Sequence, residues 1–489
     1  MNILLVEPSF PYPNKSKHKA NEVHKNFVPI GLLKLGSYYK DKGSKVKLVR
    51  GSKTIKELNH FQPDKILITS LFTYWSKYVW DAVKYYRELF PNSEIVLGGI
   101  YVTLHYDNLE FKKLALKYKA KCHVGLHSGA ERFLPNYSLI NGEISHHTTH
   151  IMRGCIRRCK FCGVWKLEPK MINKNTEEII KEIKAIGKNK VIFYDNNFLA
   201  NPNIKKENML EVLADLRIKN KPVIFESQSG FDGRLLEKNQ KLACLLKKAR
   251  FQNVRIAWDN GIEDAPLIKK QINYLVKAGY PVKDISIFMI YNFNRILEDM
   301  IAKHKYCLNW GVQILDCRYR PLDTLFDDYK PHAWRNGQTA KDYYIHEKGD
   351  WSDNKIRKFR SLVRVHNIFI RYIKDKKSNF KELFKQYRKI KDIDELLNFM
   401  SDKNKMGYNK DMERWSAIHN TYKFFNLGRP PQIKKIEKNK LLKERIKLLN
   451  SIKVKCKGNK ELTPPSLDNP ISKKADKEIK KWFLKYNKV

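Results

Sequence analysis

Cysteine is scarce in this chain: 8 of 489 residues, at positions 122, 155, 159, 162, 244, 307, 317 and 456. Their uneven spacing excludes the disulfide framework of a small secreted domain, and the compartment expected is a reducing cytoplasm. No run approaches the ~18 apolar residues of a membrane-spanning helix, so no membrane partner is expected. The opening MNILLVEPSF is broken by Pro8 too early for a signal peptide. Acidic residues are also in deficit, 51 Asp and Glu against 96 Lys and Arg, for a formal charge of +45. Such a field favours acidic partners, nucleic acid among them. The excess runs along the whole chain but is densest at 431–489, where 18 basic minus 6 acidic side chains leave +12. With 42% apolar and 12% aromatic residues, the chain is globular and long enough for two or three domains.

Residues 1–140 alternate strand-like and helix-like patterns. NILLVEP, SKVKLVRG, DKILITSL and SEIVLGG read as buried strands; PIGLLKLGSYYKDKG and SKYVWDAVKYYRELFP read as amphipathic helices. This is the pattern of a Rossmann-like, doubly wound parallel sheet, whose ligands lie beyond the carboxyl ends of the strands. Ser70, Gly98 and Gly99 fall on that rim. Tyr74, Trp75, Tyr78 and Trp80 fit a helix core.

From 141 to 325 the alternation restarts. TTHIMRG, KVIFYDNN, PVIFESQS, NVRIAWDN, DISIFMIYN and VQILDCRYR read as strands, with helices at 176–187, 207–219, 233–249, 265–279 and 295–309. Six such units predict a partial (β/α)6 barrel of the TIM type, with polar groups delivered at the strand ends. Those groups are Cys155 onward, Asp195-Asn196-Asn197, Glu226-Ser227-Gln228, Asp259, Asn292 and Asp316-Cys317-Arg318. Cys317, at the end of the last strand, is the candidate catalytic residue, as a hydrogen-atom donor or a covalent carrier. Residues 326–489 read as a mainly helical, basic region. It includes a long helix at 352–374, a Gly/Pro junction at 427–431 and a short basic helix at 472–486. Arg357, Lys358, Arg360, Arg364 and Arg371 on the long helix are candidate phosphate contacts, against the plainer reading of a solvated face.

The segment RGCIRRCKFCGVW puts Cys155, Cys159 and Cys162 on one loop after the first barrel strand. Three thiolates so spaced can wrap one inorganic centre. Structural zinc would need a fourth ligand, with His146, His147 and His150 nearby. A 4Fe–4S cluster held by three thiolates leaves one iron open. The CxxxCxΦC loop, with Phe161 as its aromatic residue and set after the first strand of such a barrel, resembles the radical S-adenosylmethionine (radical SAM) superfamily. The resemblance implies an enzyme in which Cys155, Cys159 and Cys162 bind the cluster. The open iron chelates SAM, and an electron from the cluster cleaves it to a 5′-deoxyadenosyl radical. It also implies that Phe161 lies beside the adenine and that Asp195, Asn196 and Asn197 meet the SAM amino group. Glu226, Ser227, Gln228 and Asp259 are then expected at the ribose and carboxylate. An electron donor such as flavodoxin or ferredoxin follows as a partner.

A Rossmann-like domain directly before the barrel resembles the cobalamin-binding subgroup of that superfamily, through VPIGLLKLGSYYKDKG, Thr69-Ser70 and VLGGIYVTLH. That likeness implies cobalamin near Ser70, Gly98 and Gly99, and methylation of an unactivated carbon. The Asp-x-His-x-x-Gly cobalt-ligand signature is absent, since no Asp-x-His occurs in the chain. The alternatives are a cobalamin-free, tRNA-modifying radical SAM enzyme of methylthiotransferase type, and a zinc-containing nucleic-acid-binding protein.

Overall fold

The computed structural model describes residues 1–11, 27–142, 144–326, 351–372, 380–401, 438–455, 461–468 and 470–486. The chain divides into two compact units, Met1–Arg371 and Tyr372–Val489. Both the expected Rossmann-like and barrel parts lie in the first.

The first sheet is built from β1 (Asn2–Glu7), β2 (Lys45–Arg50), β3 (Lys65–Ser70), β4 (Glu94–Gly99) and β5 (Ala120–Cys122). They are ordered β2-β1-β3-β4-β5, all parallel. Ile3, Leu4, Leu5 and Val6 of β1 have no solvent exposure. At about 1.5–3 kcal/mol for each side chain buried, they fix β1 at the centre of the sheet. Leu5 stands opposite Leu48 and Leu67, which sets the register. Helices α1 (Ile30–Asp41) and α2 (Ser76–Leu89) cover the sheet, and α1 ends before Gly43, at φ +74°. Helix α3 (Ile100–His105) continues from β4; α4 (Leu109–Lys117), capped by the Asn108 side chain, leads to β5. Neither α4 nor β5 was expected from the sequence, because β5 is three residues long and only half-buried. In this strand order the crevice opens where successive connections depart in opposite directions, between β1 and β3. Trp75 and Trp80 are buried in the packing around this sheet, as core residues.

All six expected barrel strands are present. β6 (His147–Thr149), β7 (Lys190–Phe193), β8 (Ile224–Ser227) and β9 (Phe251–Gln252) form one parallel sheet. β10 (Arg255–Ala257), β11 (Ser286–Tyr291) and β12 (Gln313–Arg318) form a second, and an isolated parallel bridge between Phe231 and Ile256 connects the two. The wall is therefore interrupted between β9 and β10. Phe193, Phe225 and Phe251 stack at 5.4–6.0 Å and fill the first sheet's face. The crossover helix α5 (Thr176–Ile186) starts at a capping box between Asn175 and Glu178 and ends at left-handed Gly187. The segment expected as one helix at 233–249 is two, Gly233–Lys238 and Lys241–Lys248, broken at extended Asn239.

The long basic helix α6 (Asp353–Tyr372) packs on the barrel. Asn367 accepts from Ile314 N (2.8 Å) and donates to Ile314 O (2.7 Å), so its amide completes the edge of β12. Phe359, Leu362, Val363 and Ile370 are buried, and Arg360 pairs with Asp316 at 3.3 Å. Most of α6 thus falls in the first unit, because its apolar stripe is used by the barrel. Within the second unit, Tyr387 packs on Phe399, and buried Arg445 pairs with Asp476 at 2.6 Å. The expected short basic helix is there as Lys473–Tyr486. The Gly/Pro junction at 427–431 and Cys456 lie outside the described residues. No helix among the described residues is long and apolar enough to cross a membrane.

Candidate active site

The cysteine loop leaves the barrel after β6 and returns through a two-residue antiparallel pairing, Met152 with Asn173 and Arg153 with Ile172. That clamp fixes both ends of residues 154–171. Gly154 sits at φ +79°, where a Cβ would lie 3.0 Å from Lys170 O, so the turn into Cys155 needs glycine. Cys155, Cys159 and Cys162 are half-buried and free of disulfides. Cys162 N donates to Cys159 O at 3.0 Å, and Arg157 N donates to Cys155 Sγ at 3.4 Å.

Burial pushes the Cys159 and Cys162 thiols up, and Asp259 and the other loop cysteines push them further in the same direction. Thiolates crowded like this need a cationic centre to stabilise them, and a coordinated thiol loses its proton outright. The donor set therefore fits a soft metal centre. A lone zinc, with Zn–S bonds of about 2.3 Å, would draw its sulfurs round one point. A cluster takes each thiolate on a different iron.

Phe161 meets Phe293 edge to face at 5.5 Å. Asn197 donates to Asp232 at 3.2 Å, while its Oδ1 is buried with no hydrogen-bond partner. Gln228 Oε1 is likewise buried and unmatched. Buried acceptors left without donors are costly, and two at neighbouring strand ends fit a donor-rich ligand such as an ammonium or ribose hydroxyl. Asp232, not singled out in the sequence, also holds Arg157 (2.9 Å) and Arg234 (2.8 Å), and Arg234 is close enough to Cys159 to feel its charge. Burial pushes the Asp259 carboxyl up, against the opposing charges of Lys303 and Arg234.

Three expected ligand contacts, Asp195, Glu226 and Ser227, are occupied by the protein itself. Asp195 is fully buried and accepts from Ile151 N (3.0 Å) and Met152 N (2.6 Å). Burial pushes its carboxyl up to about 7 against those donors. Glu226 forms a buried pair with Arg255 at 2.5 Å and accepts from Asn253 at 2.8 Å. Ser227 donates to Gly230 O. Asn196 instead donates to Glu168 at 2.9 Å and faces a cavity. Cys317 is reached by solvent but crowded by protein, so that burial pushes its thiol up to about 12.

That cavity, about 500 Å³, lies at the carboxyl edge of the first sheet. Ser70, Gly98, Gly99 and His123 line one side; Arg153, Val164, Leu167 and Glu168 from the cysteine loop, with Asn196, line the other. Ser70 Oγ donates to Gly98 O and accepts from Val102 N, which ties the rim to α3. Gly99, at φ +103°, would place a Cβ 2.2 Å from Ser70 O, whereas Gly98 has only His123 at 3.9 Å. His123 borders the cavity beside His127, ring centroids 5.2 Å apart. Lys34 and Glu131 also line the cavity and were missed altogether. The one available signal was a lysine on the apolar face of the GLLKLG helix.

Residues 149–302 match the family model described as the Radical SAM superfamily. A solved radical S-adenosylmethionine methyltransferase, TsrM, from Kitasatospora setae, with cobalamin and a 4Fe–4S cluster bound, aligns over 66% of this chain and 76% of that one, at 13% identity and a TM-score of 0.47. No curated protein matches the chain.

Proposed function

We propose that this chain, a radical SAM enzyme by virtue of residues 149–302, is a cobalamin-dependent methyltransferase acting on an unactivated carbon. The observation that carries this reading is the shared cavity. Its walls come from the rim of the first sheet and from the cysteine loop, so a planar cofactor seated on Gly98 and Gly99 would lie beside the cluster site. When bound, the cluster supplies an electron to SAM, and cobalamin supplies a carrier for the methyl group.

The protein's own part is to bind, orient and exclude water. Cys155, Cys159 and Cys162 offer the three thiolates, on a loop clamped at both ends. Phe161, held edge-on by Phe293, gives an apolar face for the adenine. Asn197 Oδ1 and Gln228 Oε1 offer the acceptors a SAM ammonium or ribose requires, and Asp259 a carboxylate nearby. Asp195 and Glu226 serve one step back, holding the end of β6 and Arg255 in place. Cys317 keeps its proton at neutral pH, so its Sγ offers a hydrogen atom and not a nucleophilic thiolate. The reducing cytoplasm is where such a cluster and its electron donor would persist.

The test is anaerobic. The reconstituted protein is titrated with hydroxocobalamin, followed by its visible absorption, and then given methyl-labelled SAM and reductant with candidate substrates. Retention of cobalamin and label in a product support the reading; cobalamin that passes straight through a desalting column contradicts it.

A further inference from the structure

Four charged residues lining the cavity form a continuous ion-paired chain, which a hydrogen bond extends to Asn196. Lys34 Nζ on α1, 4% exposed, donates to Glu131 Oε2 at 2.9 Å. Glu131 Oε1 accepts from Arg153 Nη2 at 2.8 Å, and Arg153 Nη1 donates to Glu168 Oε1 at 3.0 Å. Glu168 Oε2 then accepts from Gly154 N at 2.7 Å and from Asn196 at 2.9 Å. The charges alternate, so each ion is paired with one of opposite sign. Burial lowers the pKa of Lys34, and Glu131 is the first group that opposes this. Bidentate use of both carboxylates and of the guanidinium fixes geometry as well as charge. The chain begins in the helix over the first sheet and ends on the residue before Cys155.

We propose that Glu131 is a positioning residue that couples the cavity wall to the cysteine loop, so that whatever orders one orders the other. This rests on reading 155–162 as the cluster loop but needs no cobalamin. Its use would be to hold the cluster site in register with a cofactor in the cavity. Coupling of this kind is reciprocal, so it is read from the cluster side.

The full chain is prepared anaerobically with and without iron–sulfur reconstitution, and backbone hydrogen exchange is followed at Ile30–Asp41 and Ser128–Glu131. In the wild type, loading the cluster is expected to slow exchange in both segments by roughly fivefold or more. Glu131→Gln abolishes the slowing in both while iron and sulfide content stay at the wild-type level. Lys34→Met, which leaves the Glu131–Arg153 pair intact, retains the slowing at Ser128–Glu131 and loses it at Ile30–Asp41. Failure to take up iron and sulfide sinks the cluster reading. Uptake without any slowing in the wild type overturns the coupling, even if Glu131→Gln does not fold. Equal slowing in wild type and both variants overturns the role of Glu131.

Discussion

The two parallel sheets of the first unit end in opposite ways. At its carboxyl edge the first sheet presents Ser70, Gly98 and Gly99, small residues that leave a cavity of about 500 Å³. The barrel presents Asp195, Asn197, Glu226, Gln228 and Asp259, polar side chains that are mostly buried. An edge stripped of side chains makes room for something broad, gripped by shape and backbone. An edge crowded with acceptors suits something small and polar. Some of those acceptors hold the barrel together, and others are left unmatched.

The largest expected effect lies where the two edges meet. Replacing Cys155, Cys159 or Cys162 with alanine should cut cluster content at least ~10-fold, measured as iron and sulfide per chain, with the thermal transition of the metal-free protein unchanged. If any one of the three can be lost without that drop, the loop is not the cluster site.

Next come the barrel's own polar ends. Asp195→Ala strands the Ile151 and Met152 amides, and should cost about 2–4 kcal/mol of unfolding free energy in a denaturant titration. Asp195→Asn keeps one acceptor and should cost less than half of that. Equal costs would show that Asp195 does more than hold the end of β6. The first sheet should respond by space instead. Gly99→Ala drives a Cβ into Ser70 O and should destabilise by about 1–3 kcal/mol. Gly98→Leu, with only His123 at 3.9 Å, should leave the melting temperature nearly unchanged yet fill the cavity and abolish cobalamin retention.

The smallest effect concerns acid. Burial raises the Glu182 pKa, but the His147 hydrogen bond and the Lys174 charge outweigh this and hold its carboxyl at about 2. A carboxyl depressed on folding stabilises above its unfolded value and loses that contribution as pH falls from about 4.5 towards 2. Burial also lowers the His147 pKa, so protonation of the unfolded chain begins the loss at higher pH. Glu182→Gln should flatten the stability–pH curve below pH ~4.5 by about 1–2 kcal/mol.

How much of this was legible depended on sequence distance. The cysteine loop stands out in the sequence because its three thiols lie within eight residues and no core needs that spacing. Most of the barrel strands are legible as apolar runs ended by polar residues, such as KVIF before Asp195 and SIFMIY before Asn292; β6, His147–Thr149, holds no Val, Ile or Phe. The strand ends told which residues gather there but not what they face: Asp195 turns back onto Ile151 and Met152, and Glu226 onto Arg255. Glu131 was beyond reach, since its partners Lys34 and Arg153 lie 97 and 22 residues away and no local pattern links them. The basic helix was legible only in part: its arginines read as phosphate contacts or as a solvated face, and nothing local in the sequence ties Asn367 to Ile314 of β12.

Electron paramagnetic resonance of the anaerobically reconstituted, reduced protein, before and after adding SAM, decides whether Cys155, Cys159 and Cys162 hold a cluster with an open iron. About four irons and four sulfides per chain are expected, with a cluster signal that shifts when SAM reaches the open iron. A colourless protein holding zinc, or a cluster signal that SAM leaves unchanged, would contradict this reading.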